Sequence, residues 1–429
     1  MMKKYFLLLA TIFVAATTQQ ASAQWEKIQA LPAAQCIMVA PNGNLVSSDF
    51  QFDYSGGIYY SQDKGATWIK AEVEDYAYNT MIQAGEYIIA SGEYSTLARS
   101  KDNGVTWETL NYSYILSEYI SEGAAEGDMA YAITYFKDKL FIADMNGGGA
   151  MYSEDFGETW TMTDRQSLMY ETEYGPAIDS FYKFDQNNGQ LLLFGAFFIY
   201  RLNEEDYTWE LLRSDSNFMG VTTTYQNKLI CGRAITNYTD KVPFLEYTED
   251  GGSSWGEVPR PEGMIDNNVR AMHCFDNTII VALQQGGLYF TNDFGQTWDT
   301  FSDGIPYYVS NDTKFYKSPL VIDSDDQYVY IALYDEPWNE PNEGGIYRYD
   351  KSMLKASVNT TIHNNNVYVH NNTLYLNDSA NVTIYNINGS LVYSANNCQE
   401  IDLNNLQEGI YIYQANINND IISGKFIIK

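Results

Sequence analysis

One short pattern returns five times between residues 60 and 300, and it constrains the fold of this chain more tightly than any other feature. The copies are Ser61-Gln-Asp63-Lys-Gly65-Ala-Thr67-Trp68, Ser100-Lys-Asp102-Asn-Gly104-Val-Thr106-Trp107, Ser153-Glu-Asp155-Phe-Gly157-Glu-Thr159-Trp160, Thr248-Glu-Asp250-Gly-Gly252-Ser-Ser254-Trp255 and Thr291-Asn-Asp293-Phe-Gly295-Gln-Thr297-Trp298. A worn copy sits at Asn203-Glu-Glu-Asp206-Tyr-Thr208-Trp209. The residue types describe a tight turn between two strands. Asp accepts hydrogen bonds from backbone N–H groups of its own turn, Gly takes a positive φ that other residues resist, and Trp opens the returning strand by packing its ring inward. These aspartates are therefore read as structural staples and not as catalytic groups.

From Trp68 to Trp298 the tryptophans are spaced 39, 53, 49, 46 and 43 residues apart, one four-stranded unit per step. Each interval holds strand-like apolar runs, such as Tyr87-Ile-Ile-Ala90, Leu140-Phe-Ile-Ala143, Leu191-Leu-Leu-Phe194 and Ile279-Ile-Val-Ala282. A second repeat precedes several turns: Gly56-Gly57-Ile-Tyr59, Gly148-Gly149-Ala-Met-Tyr152, Gly286-Gly287-Leu-Tyr289 and Gly344-Gly345-Ile-Tyr347. After the last of these, Tyr347-Arg-Tyr-Asp350-Lys351 begins a turn that no Trp completes. The missing strand is at the other end: Trp25-Glu-Lys-Ile28 lies 43 residues before Trp68 and matches the residues that leave the other turns. The expectation is an all-β chain, with residues 24–351 forming a seven-bladed β-propeller whose last blade the N-terminal strand at Trp25 closes. A two-domain sandwich gives no reason for this register.

The repeated pattern is the Asp box, and residues 24–351 resemble the Asp-box (BNR-repeat) propeller superfamily. That superfamily includes sialidases, xyloglucanases, sortilin-type receptors and photosystem II assembly factors. The shared motif is structural and spans enzymes and non-enzymes, so the resemblance implies the fold and leaves the function to the site. Sialidases hold the substrate carboxylate with arginines, the first in a Phe/Tyr-Arg-Ile-Pro motif. The matching stretch here, Gln35-Cys-Ile-Met-Val-Ala-Pro41, has no arginine, and Arg165, Arg213, Arg233, Arg260 and Arg270, read as loop residues, match no family motif. Xyloglucanases place catalytic aspartates in Asp-x-Gly-Gly-x-Tyr segments, which Asp53-Tyr-Ser-Gly56-Gly57-Ile-Tyr59 and Asp144-Met-Asn-Gly147-Gly148-Gly149-Ala-Met-Tyr152 loosely resemble, with extra residues between Asp and the glycines. Asp53 and Asp144 are therefore the catalytic candidates of a glycoside-hydrolase reading, which needs two carboxylates at a working separation and one with a raised pKa. The alternative is that each is a solvated acidic turn.

The N-terminus has two lysines, an apolar run from Tyr5 to Ala16 and a small-residue site Ala21-Ser-Ala23 before Gln24. This reads as a secretory signal peptide over residues 1–23, and no segment reads as a transmembrane helix. The net charge of -30 excludes nucleic acid and anionic membranes as natural partners. Three histidines without metal-ligand spacing leave no metal site to expect, no cofactor is implied, and four scattered cysteines give no disulfide framework. Tyrosine is abundant, 37 residues, which suits both core filling and a sugar-stacking or protein-contacting surface.

Residues 356–429 change character, becoming rich in Asn, Ile, Val and Tyr, with short alternating strands at 366–369, 373–376, 381–385, 391–393, 409–413 and 424–428. A small β-sandwich is expected. Val382-Thr-Ile-Tyr385-Asn-Ile-Asn-Gly389, Ile401-Asp-Leu403, Leu406-Gln-Glu-Gly409-Ile-Tyr411 and the end Lys425-Phe-Ile-Ile-Lys429 resemble the C-terminal sorting domains of type IX secretion cargo in Bacteroidetes. That resemblance implies recognition by the secretion machinery and a place outside the cell. The family's Pro-Asn-Pro motif is absent, with Asn371-Asn372 in its position. The alternative is a β-module that packs on the propeller or holds a partner.

The face opposite the Asp boxes is where a ligand is expected, on the loops Ser47–Tyr54, Ser113–Asp128, Asp164–Ala177, Arg233–Pro243 and Tyr334–Glu343. The last holds Trp338, outside the blade register, beside Asp335 and Glu340. With Arg233 these are the ligand-binding candidates of the first reading, a secreted or cell-surface binder of a glycan or an extracellular protein.

Overall fold

The computed structural model describes residues 24–31, 33–50, 56–74, 76–92, 96–111, 132–144, 148–173, 175–214, 218–233, 243–260, 268–335, 342–354, 367–370, 373–386, 389–407, 409–417 and 420–428. The signal peptide expected over 1–23, Asp53, Trp338 and Glu340 lie outside these residues, and of Arg233 only the backbone is described.

Among the described residues there are seven four-stranded antiparallel sheets and no α-helix. Six are continuous in sequence. They run from Ala34–Val39 to Ile69–Lys70, from Tyr78–Ala84 to Glu108–Asn111 and from Ala132–Phe136 to Thr161–Met162. The others run from Phe181–Asn187 to Thr208–Ser214, from Phe218–Tyr225 to Gly256–Val258 and from Val269–Phe275 to Asp299–Thr300. The seventh joins Pro319–Ser324, Tyr328–Leu333 and Gly345–Asp350 to Glu26–Gln29, which pairs Glu26 with Arg348 and Lys27 with Tyr347. The opening strand of each sheet lies against that of the next, and Pro319–Ser324 lies against Ala34–Val39. At that last contact the Val39 N–H donates to Asp323 Oδ2 at 2.7 Å.

Burial explains which residues form which strand. Second strands such as Thr278–Leu283 and Tyr328–Leu333 are covered on both faces and so are unbroken apolar runs. Short fourth strands such as Ile69–Lys70 are exposed. Trp25 is buried against Phe301 and Tyr349, its indole N–H donating to Phe301 O at 2.7 Å and its backbone N–H to Asp303 O at 2.7 Å. Asp350, where a turn pattern begins without a Trp, instead caps the short 3-10 turn Lys351–Met353 by accepting the Ser352 N–H.

Several loop expectations are corrected. Ser47 to Phe50 belong to the strand Leu45–Phe50, because Ser47 and Ser48 turn their hydroxyls onto the carbonyls of Cys36 and Tyr78. The stretch from Asp164 to Ala177 is ordered as a 3-10 turn, Arg165–Leu168, and the hairpin Met169–Thr172/Gly175–Ile178. Arg213, Arg233 and Arg270 stand in strands, not loops.

The tail is also rearranged. Its described strands, Val367–His370, Thr373–Asn386, Leu391–Asp402, Gly409–Ile417 and Asp420–Ile428, are joined by one continuous network of strand pairing. The two strands read at 373–376 and 381–385 are a single 14-residue strand, whose pairing with Leu391–Asp402 shifts register between Tyr375 and Ala380 and again at Val382. Both halves of that strand contribute to one core, which includes Leu374, Val382, Ile384, Ile401, Tyr413 and Phe426.

Candidate functional site

Antiparallel alternation assigns every connection to one of two faces. Turns between first and second strands and between third and fourth strands emerge on one face, and all other connections on the opposite one. The Asp boxes are third-to-fourth-strand turns. In the first box Asp63 Oδ1 accepts the Thr67 N–H at 2.8 Å and Oδ2 the Thr67 hydroxyl at 2.6 Å, while the Gly65 N–H donates to Ser61 Oγ at 2.8 Å. Asp102, Asp155, Asp250 and Asp293 repeat these bonds within 0.1 Å. The box glycines have φ between 82° and 98°. Trp68, Trp107, Trp160 and Trp255 each donate their indole N–H to the carbonyl of the box glycine, whereas Trp298 reaches across to Pro259 O. Hydrogen bonds from the Thr67 and Ser254 hydroxyls and N–H groups hold the Asp63 and Asp250 carboxyls down at about 2. The bonds these carboxyls make are those of their own turn, the work of scaffold groups.

On the opposite face three carboxylates are buried and turned toward backbone. Asp144 Oδ2 accepts the Gly148 N–H at 2.7 Å, and the Asp144 N–H donates to Gly149 O at 3.0 Å. Asp335 pairs with Lys317 Nζ at 2.5 Å through Oδ1 and accepts the Glu343 N–H at 3.0 Å through Oδ2. Asp179 accepts the N–H groups of Phe197 and Phe198 at 2.9 and 3.0 Å, and burial pushes its carboxyl above the usual range against those bonds. Each carboxylate closes a second-to-third-strand turn, the work expected of Asp at a turn. Of the residues singled out from sequence, Asp144 and Asp335 are thus turn-forming groups. Asp53, Trp338 and Glu340, with which they were to act, lie outside the described residues.

This face exposes aromatic rings as well as acidic side chains such as Glu171, Glu173 and Asp312. The connection between Asp299–Thr300 and Pro319–Ser324 rises into a hairpin, Tyr307–Ser310 paired with Thr313–Tyr316, on which Tyr307, Tyr308 and Val309 are exposed. Phe197, at the turn held by Asp179, is half exposed, while its neighbour Phe198 is covered edge-on by Tyr170 of the other hairpin, 4.8 Å between ring centroids. None of these residues stands out by motif. The signal in the sequence is the run Tyr307-Tyr-Val-Ser-Asn-Asp-Thr-Lys-Phe-Tyr316, alternating residues around an Asn-Asp pair, which is a two-residue hairpin signature.

A cluster of titratable groups lies on the opening strands. His273 Nε2 is 2.9 Å from Ser324 Oγ and 3.9 Å from Asp323 Oδ1, and Asp323 also accepts the N–H groups of Val39 and Ser324. Burial, and after it the charge of Lys351, lowers the His273 pKa to about 4, while burial raises that of Asp323.

Residues 363–429 match the secretion system C-terminal sorting domain. The chain therefore carries the signal for type IX secretion, to the cell surface or the extracellular space. No helix among the described residues is long and apolar enough to cross a membrane. Comparison with curated proteins finds no match. Among solved structures, YCF48 from Cyanidioschyzon merolae is similar over 77% of this chain and 99% of its own, with TM-score 0.51 and 15% identity. The extracellular domain of the putative hybrid two component system BT4673 from B. thetaiotaomicron is similar over 94% of this chain and 58% of its own, with TM-score 0.50 and 11% identity. The GH74 xyloglucanase from Xanthomonas campestris covers 73% of this chain and 52% of its own, with TM-score 0.49 and 11% identity. At these identities the likeness to YCF48 and to the BT4673 domain is one of fold, and that fold is a β-propeller.

Proposed function

We propose that this exported chain is a non-catalytic binding propeller. In this reading residues 24–351 make one seven-bladed ring closed by the strand after Trp25, residues 356–429 are the sorting tail, and the Asp-box aspartates are scaffold. The ligand, a glycan or an extracellular protein, is held on the face opposite the boxes. The observation that carries the reading is the division of labour on that face. Its carboxylates Asp144, Asp179 and Asp335 are buried and bound to backbone N–H groups, whereas the rings of Phe197, Tyr307 and Tyr308 are exposed, as are the carboxylates of Glu171, Glu173 and Asp312. Exposed aromatics on a rigid support suit recognition. A glycoside hydrolase built on Asp53 and Asp144 would need Asp144 free to reach a glycosidic oxygen, and its bond to Gly148 speaks against that.

The test is a glycan array and an extracellular-protein capture run with the mature chain and with a Phe197→Ala/Tyr307→Ala/Tyr308→Ala variant, beside an assay for reducing-sugar release. Binding by the native chain that the triple variant loses, without release of sugar, is the expected result. Sugar release abolished by Asp144→Asn would replace this reading with the hydrolase.

A further inference from the structure

We propose that one face of the Tyr307–Tyr316 hairpin is a carbohydrate platform that takes a neutral polysaccharide, an inference that rests on the binding reading above and names its ligand. The hairpin turns on Asn311 and Asp312, both at positive φ, 48° and 60°. A two-residue turn of this kind matches the twist of the strands it joins and leaves the hairpin little freedom. Its base is closed by the Lys317 N–H donating to Pro306 O at 2.8 Å and fastened to the neighbouring sheet by the Tyr316 N–H donating to Gln285 O at 2.9 Å.

Pairing of Tyr307 with Tyr316 and of Tyr308 with Phe315 divides the side chains between two faces. One face carries Tyr307, Val309, Lys314 and Tyr316. There the Lys314 ammonium stands 4.3 Å over the Tyr307 ring, and Tyr316 packs on the core of the neighbouring sheets. The other face carries Tyr308, Ser310, Thr313 and Phe315. Its two rings stack, 5.2 Å between centroids and 15° between planes, and Tyr308 still keeps 53% of its surface exposed.

This second face has the chemistry of a sugar site. A pyranose packs its C–H surface on an aromatic ring and hydrogen-bonds through its rim of hydroxyls, which the Ser310, Thr313 and Tyr308 hydroxyls are placed to answer. The face has no charged side chain, and a chain of net charge -30 repels polyanionic glycans, so the ligand is neutral. Size argues for a sugar over a protein. A standard protein interface takes roughly 800 Å² from each partner, far more than four side chains of one hairpin offer, whereas one or two sugar rings cover them.

The experiment is affinity electrophoresis of the mature chain through gels containing hydroxyethylcellulose, laminarin or mannan as neutral probes, and alginate or polygalacturonate as anionic ones. At least one neutral polysaccharide should retard the native protein. Tyr308→Ala should weaken that retardation by roughly tenfold or more, Tyr308→Phe should keep most of it, and Val309→Ala, on the other face, should stay within about twofold. Retardation that survives Tyr308→Ala but is lost in Phe197→Ala overturns the platform and leaves the loop-face reading standing. Retardation by anionic polysaccharides alone, or by none, overturns the platform. Binding that no loop-face variant alters overturns both.

Discussion

Gly304 and His273 show how single positions tie distant parts of this chain together. Gly304 has φ of 92°, and a Cβ there would sit 2.4 Å from the carbonyl oxygen of Trp25, so only glycine lets the N-terminal strand approach. His273 is neutral at physiological pH, because burial and then Lys351 lower its pKa from 6.5 to about 4. The unfolded chain therefore binds the extra proton between those two values. Stability from this group is complete above pH 6.5 and is lost as pH falls toward 4. Asp323, raised by burial, acts in the opposite sense as it protonates, so the two must be separated by mutation. Between pH 7.5 and 4.5 the native protein should lose on the order of 2 kcal/mol more unfolding free energy than His273→Gln, by urea denaturation at each pH. Equal losses in the two proteins would remove His273 from the acid response. Such pairs also mark the limit of what the sequence shows at this scale. The box aspartates are legible because donor and acceptor lie four residues apart, whereas Asp179 meets Phe197 across 18 residues and His273 meets Ser324 across 51, with no local pattern to announce either.

Between elements, the same ion pair joins one sheet to the next at three places. Arg99, Arg201 and Arg348 lie on third strands, and each pairs with its register partner on the fourth strand, Glu108, Glu210 and Glu26 respectively. Each guanidinium then reaches the Asp-box turn of the following sheet: Arg99 meets Glu158 at 2.6 Å, Arg201 meets Ser253 Oγ at 3.1 Å, and Arg348 meets Lys64 O at 3.1 Å. One planar fork serving two sheets is a task for arginine. Arg99 is the most enclosed of the three, with its side chain only 9% exposed, and its carboxylate partners are open to water. Arg99→Met should cost about 1–2 kcal/mol in chemical unfolding, and Arg99→Lys should recover less than half of it, since an ammonium cannot hold both sides. A lysine variant as stable as the native chain would reduce the contact to simple charge. These clasps are not legible in the sequence, because the partners lie on two strands of one sheet and on a turn of the next. The strands themselves are readable, since box spacing and apolar runs are local, whereas 373–376 and 381–385 read as two strands because the apolar pattern lapses between them, where one strand continues through a change of register.

At the scale of the whole molecule, a ring of sheets must solve the problem of its own ends. The sheet of Pro319–Asp350 would present Gly345–Asp350 as a bare edge without Glu26–Gln29, and a bare edge is a template for association. The same few residues contribute the Trp25 indole buried between Phe301 and Tyr349 and the Glu26 carboxylate under Arg348. The Arg348 contact with Lys64 spans 284 residues and links the last sheet to the first box, the same relation that Arg99 and Arg201 have to the boxes after them. If the ring is closed in this way, its weakest joint is noncovalent and lies at the N-terminus. A chain beginning at Leu31 should then melt at least about 10 °C lower than one beginning at Gln24 and should associate as its concentration rises, as measured by calorimetry and light scattering. Glu26→Gln, which keeps the strand and Trp25 but weakens the ion pair, should lower melting by only a few degrees and remain monomeric. A truncated chain that melts with the full one and stays monomeric would mean that the sheets cohere without this strand, and the closure proposed for the ring would have to be given up.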